Sequence, residues 1–180
     1  MKNMNLGGGM NTLMNYFLDN YSTNDLMVIM DGDNTQNPKY ILSMLKKLKT
    51  GYNVVIASRY RPGSKVEGLS LIRHIYSLGA RFYYTLVLGI KGVRDYTCGY
   101  RVYDYPSIRA LSSEYGTKMV EKTSFACMME ILYKISKLGF KVGEVPFVLR
   151  YDLKMGNSKI KVSKTIIDSL STAFKLRFFD

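Results

Sequence analysis

Two short apolar runs set the frame of this chain. Leu26–Met30 and Val54–Ala57 are continuous stretches of strand-forming residues, the pattern of strands buried on both faces. The first ends in Asp31-Gly32-Asp33-Asn34, which is turn chemistry, and the second in Ser58-Arg59. Between them Pro38 opens a helix whose inner face is expected at Ile41, Leu42, Leu45 and Leu48, and Gly51 stops it. Strand, helix, strand predicts a right-handed βαβ unit in a largely parallel sheet. Ahead of it, Asn5–Gly9 reads as a glycine-rich loop, followed by a helix with Met10, Leu13, Met14, Phe17 and Leu18 on one face.

The rest of the chain keeps an α/β rhythm. Arg61–Gly68 reads as a loop and Leu69–Leu88 as a long helix, or two with a break near Gly79. Residues 89–100 are irregular, and Arg101-Val102-Tyr103 is a short strand candidate. Ser124–Leu138 predicts a helix with Phe125, Met128, Met129, Leu132 and Ile135 inward, capped by Gly139. Val142–Leu149 predicts a strand interrupted at Pro146, hence an edge or a bulge. A polar loop at Lys154–Lys159 leads to an amphipathic helix over Val162–Phe174, flanked by Lys161, Lys164, Lys175 and Arg177.

At 180 residues and 47% apolar composition, the chain is sized for one domain with a sizeable core. Its net charge of +12 favours an anionic partner: nucleic acid, an acidic membrane surface or a phosphorylated substrate. No string typical of the common RNA-binding modules occurs. A single His and two cysteines, Cys98 and Cys127, make no zinc motif, and the cysteines read as reduced thiols rather than a disulfide. No apolar run approaches the ~20 residues of a membrane span, which leaves a peripheral location open.

Several residues are candidates for chemistry. Asp31 and Asp33, two apart at the carboxyl end of a buried strand, can hold Mg²⁺ or Mn²⁺ and through it a diphosphate; the other reading is a turn that only ends the strand. Arg59 follows the next strand and suits phosphate, or is a solvated arginine. Arg73 and Ser77 share a helical face that Arg81 extends, a stripe able to grip phosphate or an ordinary polar face opposite Ile72, Ile75, Tyr76 and Phe82. His74 reads as a surface residue. Arg150 and Lys159 flank a loop with Gly156 and Asn157, either a cationic flap or a plain basic loop. Glu130 and Lys134 read as a surface ion pair along one helix.

Taken in order, the strings VIMDGD with its following NP, VVIASRY, RHIYSLGARFYYTLVLGI, DYTCGYRVY, FACMMEILYKISKLGFKVGEVPFVLRYD and GNSKI resemble the family 2 glycosyltransferases, in particular the dolichyl-phosphate mannose synthase-like branch. The likeness runs from about Asn5 to about Phe174. It implies a GT-A fold: a Rossmann-like, mostly parallel sheet with flanking helices and its site at the strand ends. It implies inverting transfer of a sugar, mannose first, from GDP-mannose or a UDP-sugar to a polyprenyl or dolichyl phosphate at the cytoplasmic face of a membrane, with no nucleic-acid partner. By the same resemblance Asp31 and Asp33 hold Mg²⁺ or Mn²⁺ and the donor diphosphate. Arg59, Arg73 and Ser77 hold phosphate, Arg150 and Lys159 are flap residues, and Gly8 and Gly9 are substrate-binding positions.

The chain departs from that family in two places. Thr35 stands where mannose synthases often have a metal-binding Gln, with Gln36 beside it. Of the βα units that precede the acidic pair in the family, only the Gly7-Gly8-Gly9 loop and its helix are expected before Leu26, as the last piece, so an N-terminally truncated domain is expected over residues 1–160, with an amphipathic helix over 161–180. On that reading strand Leu26–Met30 exposes a pairing edge, and the chain alone binds donor poorly. Three further readings stay open: a saccharide hydroxyl acceptor with Glu130 or Asp95 as base, a non-catalytic remnant, and a nucleic-acid binder.

Overall fold

The structure is a computed structural model that describes residues 5–154 and 162–179. In chain order it holds α1 (Asn5–Asn20), β1 (Leu26–Ile29), α2 (Tyr40–Leu48), β2 (Val54–Ser58), β3 (Lys65–Glu67), α3 (Leu71–Leu88), β4 (Arg101–Asp104), α4 (Tyr105–Tyr115), α5 (Ala126–Lys137), β5 (Val142–Pro146), β6 (Val148–Arg150) and α6 (Val162–Phe178). The α/β class expected from the sequence is the class observed.

The main sheet has the order β1-β4-β2-β5. β2 pairs in parallel with β5, with Val54 opposite Val142 and Ile56 opposite Glu144. β4 runs against both of its neighbours, pairing Val102 with Val28 on one side and with Val55 on the other. Three of the four strands therefore share one direction, and the β1-α2-β2 crossover steps over β4 rather than joining adjacent strands. β2 is the centre of the core: Val54 to Ser58 are fully buried. α2 packs against it, and α5 is buried from Ala126 to Ile135.

Pro146 divides the last predicted strand, as its missing N–H requires. β5 ends there, and β6 leaves for a two-stranded parallel sheet with β3, Val66 opposite Leu149. This small sheet brings the chain after Leu149 back to the acidic turn, where the Arg150 N–H donates to the Thr35 carbonyl at 3.0 Å.

Several expectations need correction. Asn5–Gly9 is the start of α1 and not a loop. Gly7 is helical because it docks on the chain before α5: a Cβ there would lie 1.8 Å from the Lys122 carbonyl oxygen, and its N–H donates to Thr123 O at 3.2 Å. β1 is not buried on both faces; it is the edge strand of the sheet, with Leu26 and Val28 exposed. In α2 the fully buried position is Met44, and Leu42 points outward. α3 is a single helix through Gly79. Glu130 and Lys134 are paired at 2.7 Å, but inside the protein: Glu130 also accepts from the N–H groups of Glu121 and Lys122. Both cysteines are free and buried.

Candidate active site

Beyond β1 the chain turns sharply through Asn34, which holds a left-handed φ of 64°. The turn lets two buried polar residues clasp the two carboxylates. Gln36 donates its amide to Asp31 Oδ2 at 2.7 Å and accepts from the Asp31 N–H at 2.8 Å. The Thr35 hydroxyl donates to Asp33 Oδ1 at 2.6 Å. Asp33 Oδ2 takes the Lys154 ammonium at 2.8 Å, a contact across 121 residues. Burial and the neighbouring Asp33 carboxylate push Asp31 above the ordinary carboxylate range. Burial also works to raise Asp33, but Lys154 and the two Thr35 donors outweigh it and hold that group below the range.

At the end of β2, Arg59 is tied to Asp95. Its N–H and Nε donate to Asp95 Oδ2 at 2.9 and 2.8 Å, and Nη2 reaches Asp95 Oδ1 at 2.6 Å and the Thr97 hydroxyl at 2.7 Å. Burial alone would raise the Asp95 carboxyl, but Arg59 more than offsets it, and the group sits below its usual range. Asp95 is held in turn by Glu144 on β5, whose Oε1 accepts from the N–H groups of Arg94 and Asp95 at 2.7 Å each. Glu144 also pairs with Arg61 at 2.8 Å. Two buried carboxylates thus fix the loop from which Arg59 faces the cavity.

These groups open into one cavity of about 470 Å³. Asp31 and Asp33 line it together with Arg59 and Asp95, and α3 lines it through Arg73, Ser77 and Arg81. Five cationic side chains (Arg59, Arg73, Arg81, Arg94 and Lys154) stand against three carboxylates (Asp31, Asp33 and Asp95), so the cavity as a whole favours an anion. Tyr60 bridges its walls, with its hydroxyl bonded to the Ser77 hydroxyl.

Asp31, Asp33, Arg59, Arg73 and Ser77 all line this one cavity. Arg150 is turned out of the cavity, paired with Glu67 at 3.0 Å and Asp152 at 2.7 Å. Gly8 and Gly9 lie in α1, away from the cavity lining. Lys159 lies outside the described residues, as do Gly156 and Asn157. Sequence reasoning missed Lys154, Tyr60 and the Asp95–Glu144 pair. Glu144 did leave a signal, a carboxylate set inside an otherwise apolar strand. Lys154 is marked in the sequence by charge alone.

Residues 2–111 match the family model described as Glycosyl transferase family 2. The chain belongs to glycosyl transferase family 2. It is similar to an undecaprenyl-phosphate mannosyltransferase of Micrococcus luteus, 27% identical over 136 residues, which are 76% of this chain and 53% of that protein. It is similar to a polyprenol monophosphomannose synthase of Mycolicibacterium smegmatis, 28% identical over 138 residues, 77% of this chain and 50% of that protein. It is also similar to a dolichol-phosphate mannosyltransferase of Pyrococcus furiosus, 30% identical over 156 residues, 86% of this chain and 41% of that protein. The chain spans about half the length of the curated relatives it matches.

Family 2 transferases generally use a divalent metal ion. The acidic turn fits one. Two carboxylates share it, each held by a neutral hydrogen-bond donor and Asp33 also by Lys154, and burial together with the neighbouring Asp33 carboxylate raises Asp31. Oxygen ligands of this kind suit Mg²⁺ or Mn²⁺. Among the described residues no third His, Cys, Asp or Glu joins them, and Asp31 and Asp33 are the residues that would hold the ion.

Proposed function

We propose that this family 2 glycosyltransferase chain serves transfer of mannose from a nucleotide-sugar, GDP-mannose first, to a polyprenyl phosphate. One observation carries the reading: an acidic turn fit for a metal and a face of arginines open into the same cavity. The names of the three relatives support mannose as the sugar and a polyprenyl phosphate as the acceptor.

Mg²⁺ or Mn²⁺ held by Asp31 and Asp33 would supply charge stabilisation for the departing diphosphate. The chain's own residues do the rest. Arg73 and Ser77 grip the acceptor phosphate from α3, and Arg59, paired with Asp95, lines the same cavity. A phosphate monoester is largely ionised near neutral pH, its second pKa being about 6, so its oxygen attacks the anomeric carbon without a base and the configuration inverts. A saccharide hydroxyl would need a base. Asp95 has its oxygens occupied by Arg59 and Cys98 donors, and Glu130 is paired with Lys134, so neither is free for that work.

The outer surface supports a place at a membrane. α3 turns its polar stripe toward the cavity and leaves Ile72 64% and Phe82 74% exposed. α6 packs beside α3, where Tyr83 donates to Leu170 O at 3.2 Å, and exposes Ile167, Phe174 and Phe178. Among the described residues no helix is long and apolar enough to cross a membrane, and the proposed location is peripheral, at the cytoplasmic face.

The test is a transfer assay with radiolabelled GDP-mannose, Mn²⁺ and a polyprenyl monophosphate. The expected product is an extractable, acid-labile mannosyl lipid phosphate. Label that appears only when a saccharide acceptor is added would put a hydroxyl acceptor in its place.

A further inference from the structure

The arginine that the family resemblance assigns to phosphate is largely committed already. Arg59 gives Nε and Nη2 to Asp95 and Thr97, so its charge is matched by a carboxylate with no exposure to solvent. The uncommitted positive charge lies across the cavity on α3. Arg73, Ser77 and Arg81 recur there every four residues, along one helical stripe that lines the cavity. Among the described residues no carboxylate lies within ion-pair distance of Arg73 or Arg81.

Arg81 is not a loose side chain. Its guanidinium carbon lies 5.0 Å from the centroid of the Tyr60 ring, and that of Arg59 lies 5.4 Å from the same centroid. The Tyr60 hydroxyl bonds to the Ser77 hydroxyl and, at 3.2 Å, to the Ser77 carbonyl oxygen. One aromatic ring at the end of β2 therefore spaces two guanidinium groups and steadies the serine of the stripe. Arginine held over a ring keeps N–H donors for an anion, while the ring limits the rotamers it must give up on binding.

We infer that Arg81, carried on Tyr60, is a phosphate-binding residue at the acceptor end of the cavity, with Tyr60 as its positioning residue. The ligand class is a phosphate monoester, whose charge of about −1.5 to −2 and three oxygens suit two guanidinium groups and a hydroxyl. The inference rests on reading the cavity as a polyprenyl-phosphate site. A phospholipid headgroup offers related chemistry, but as a diester with a single charge.

Calorimetric titration with geranyl monophosphate is the test, with geraniol as the uncharged control. Arg81→Gln is expected to weaken binding about 10-fold or more, and Arg81→Lys to recover part of the loss. Tyr60→Leu should weaken it as well, whereas Tyr60→Phe keeps the ring face and most of the affinity. Arg109→Gln, exposed on α4, should change nothing. Equal affinity of wild type and Arg81→Gln overturns the inference while the acceptor reading stands. If the wild type binds the monophosphate no better than geraniol, that reading fails and the inference with it. Vesicles of phosphatidylglycerol form the second arm. Their binding should be the same for wild type and Arg81→Gln; lost vesicle binding with unchanged monophosphate affinity would make Arg81 a headgroup contact and overturn the inference.

Discussion

Both carboxylate oxygens of Asp33 are in use, one by Thr35 and the other by Lys154. A cation held by the acidic turn would compete with Lys154 for Asp33 Oδ2. Asp33→Ala removes the carboxylate that both cations need. Turnover in the mannosyl-transfer assay should fall ~100-fold or more, in line with other losses of charge-stabilising groups. Turnover like that of the wild type, with metal still required, would move the metal site elsewhere. Asp95 makes a different kind of case, because it acts through Arg59. Asp95→Asn leaves a largely buried guanidinium without its counter-ion and should cost about 3 kcal/mol of stability. The pH dependence follows from the lowered folded-state value. Asp95 contributes fully above its unfolded pKa of about 3.9, and the contribution is lost as pH falls through the lower folded value. Thermal unfolding of wild type and Asp95→Asn should therefore differ most above pH 4 and converge below it. A gap that stays constant down to the acid limit would mean that the pair does not stabilise the fold through its charge.

At the scale of elements, β4 shows what periodicity can and cannot reveal. Arg101-Val102-Tyr103 is legible as a short strand, but its place between β1 and β2 is not, since the pattern of one segment carries no address for its partner. The same holds for Lys154 and Asp33, whose contact depends on β6 leaving the main sheet at Pro146. β2, α5 and the acidic turn are legible because each is set by local pattern: an unbroken apolar run, a helical repeat, and turn residues at a strand end. α1 begins earlier than its glycines suggest because packing against Lys122 and Thr123 overrides low helix propensity. Nothing in the local pattern marks Arg101 within β4 as fully buried. Its guanidinium donates to the carbonyls of Cys98 at 2.7 Å and Tyr96 at 2.8 Å, and to that of Met128 on α5. It ties the loop that bears Asp95 to the helix behind it. Arg101→Met leaves the loop carbonyls of Cys98 and Tyr96 without this donor and should lower stability in urea by about 3 kcal/mol or more. Amide exchange at Cys98, whose N–H donates to Asp95, should quicken beyond the global change. Unchanged exchange at Cys98 would limit Arg101 to a general packing role.

On the scale of the whole molecule, α3 reverses the usual arrangement of an amphipathic helix on a globular protein. Its polar stripe faces inward because the cavity is there, and the apolar positions Leu71, Ile72, Ile75, Phe82 and Leu86 are left outside. α6 adds Ile167, Phe174 and Phe178 to the exposed apolar surface, with Lys175 and Arg177 in its last turn. On the proposed function, a lipid acceptor would present its phosphate to Arg73 and Ser77 with its hydrocarbon out of water, and an apolar face on the same helix would meet that need. Anionic bilayers should accordingly bind this protein through both terms, apolar burial and the attraction of basic residues. Ile75→Glu with Phe82→Glu should cut flotation with phosphatidylglycerol vesicles about 10-fold or more, because each change replaces apolar contact by a charge the lipid repels. The thermal midpoint should hardly move, since both side chains are already in water. Raising the salt should weaken wild-type binding in part, leaving the apolar share. Flotation of the double variant equal to that of wild type would remove α3 from the membrane contact and leave its apolar face to a protein partner.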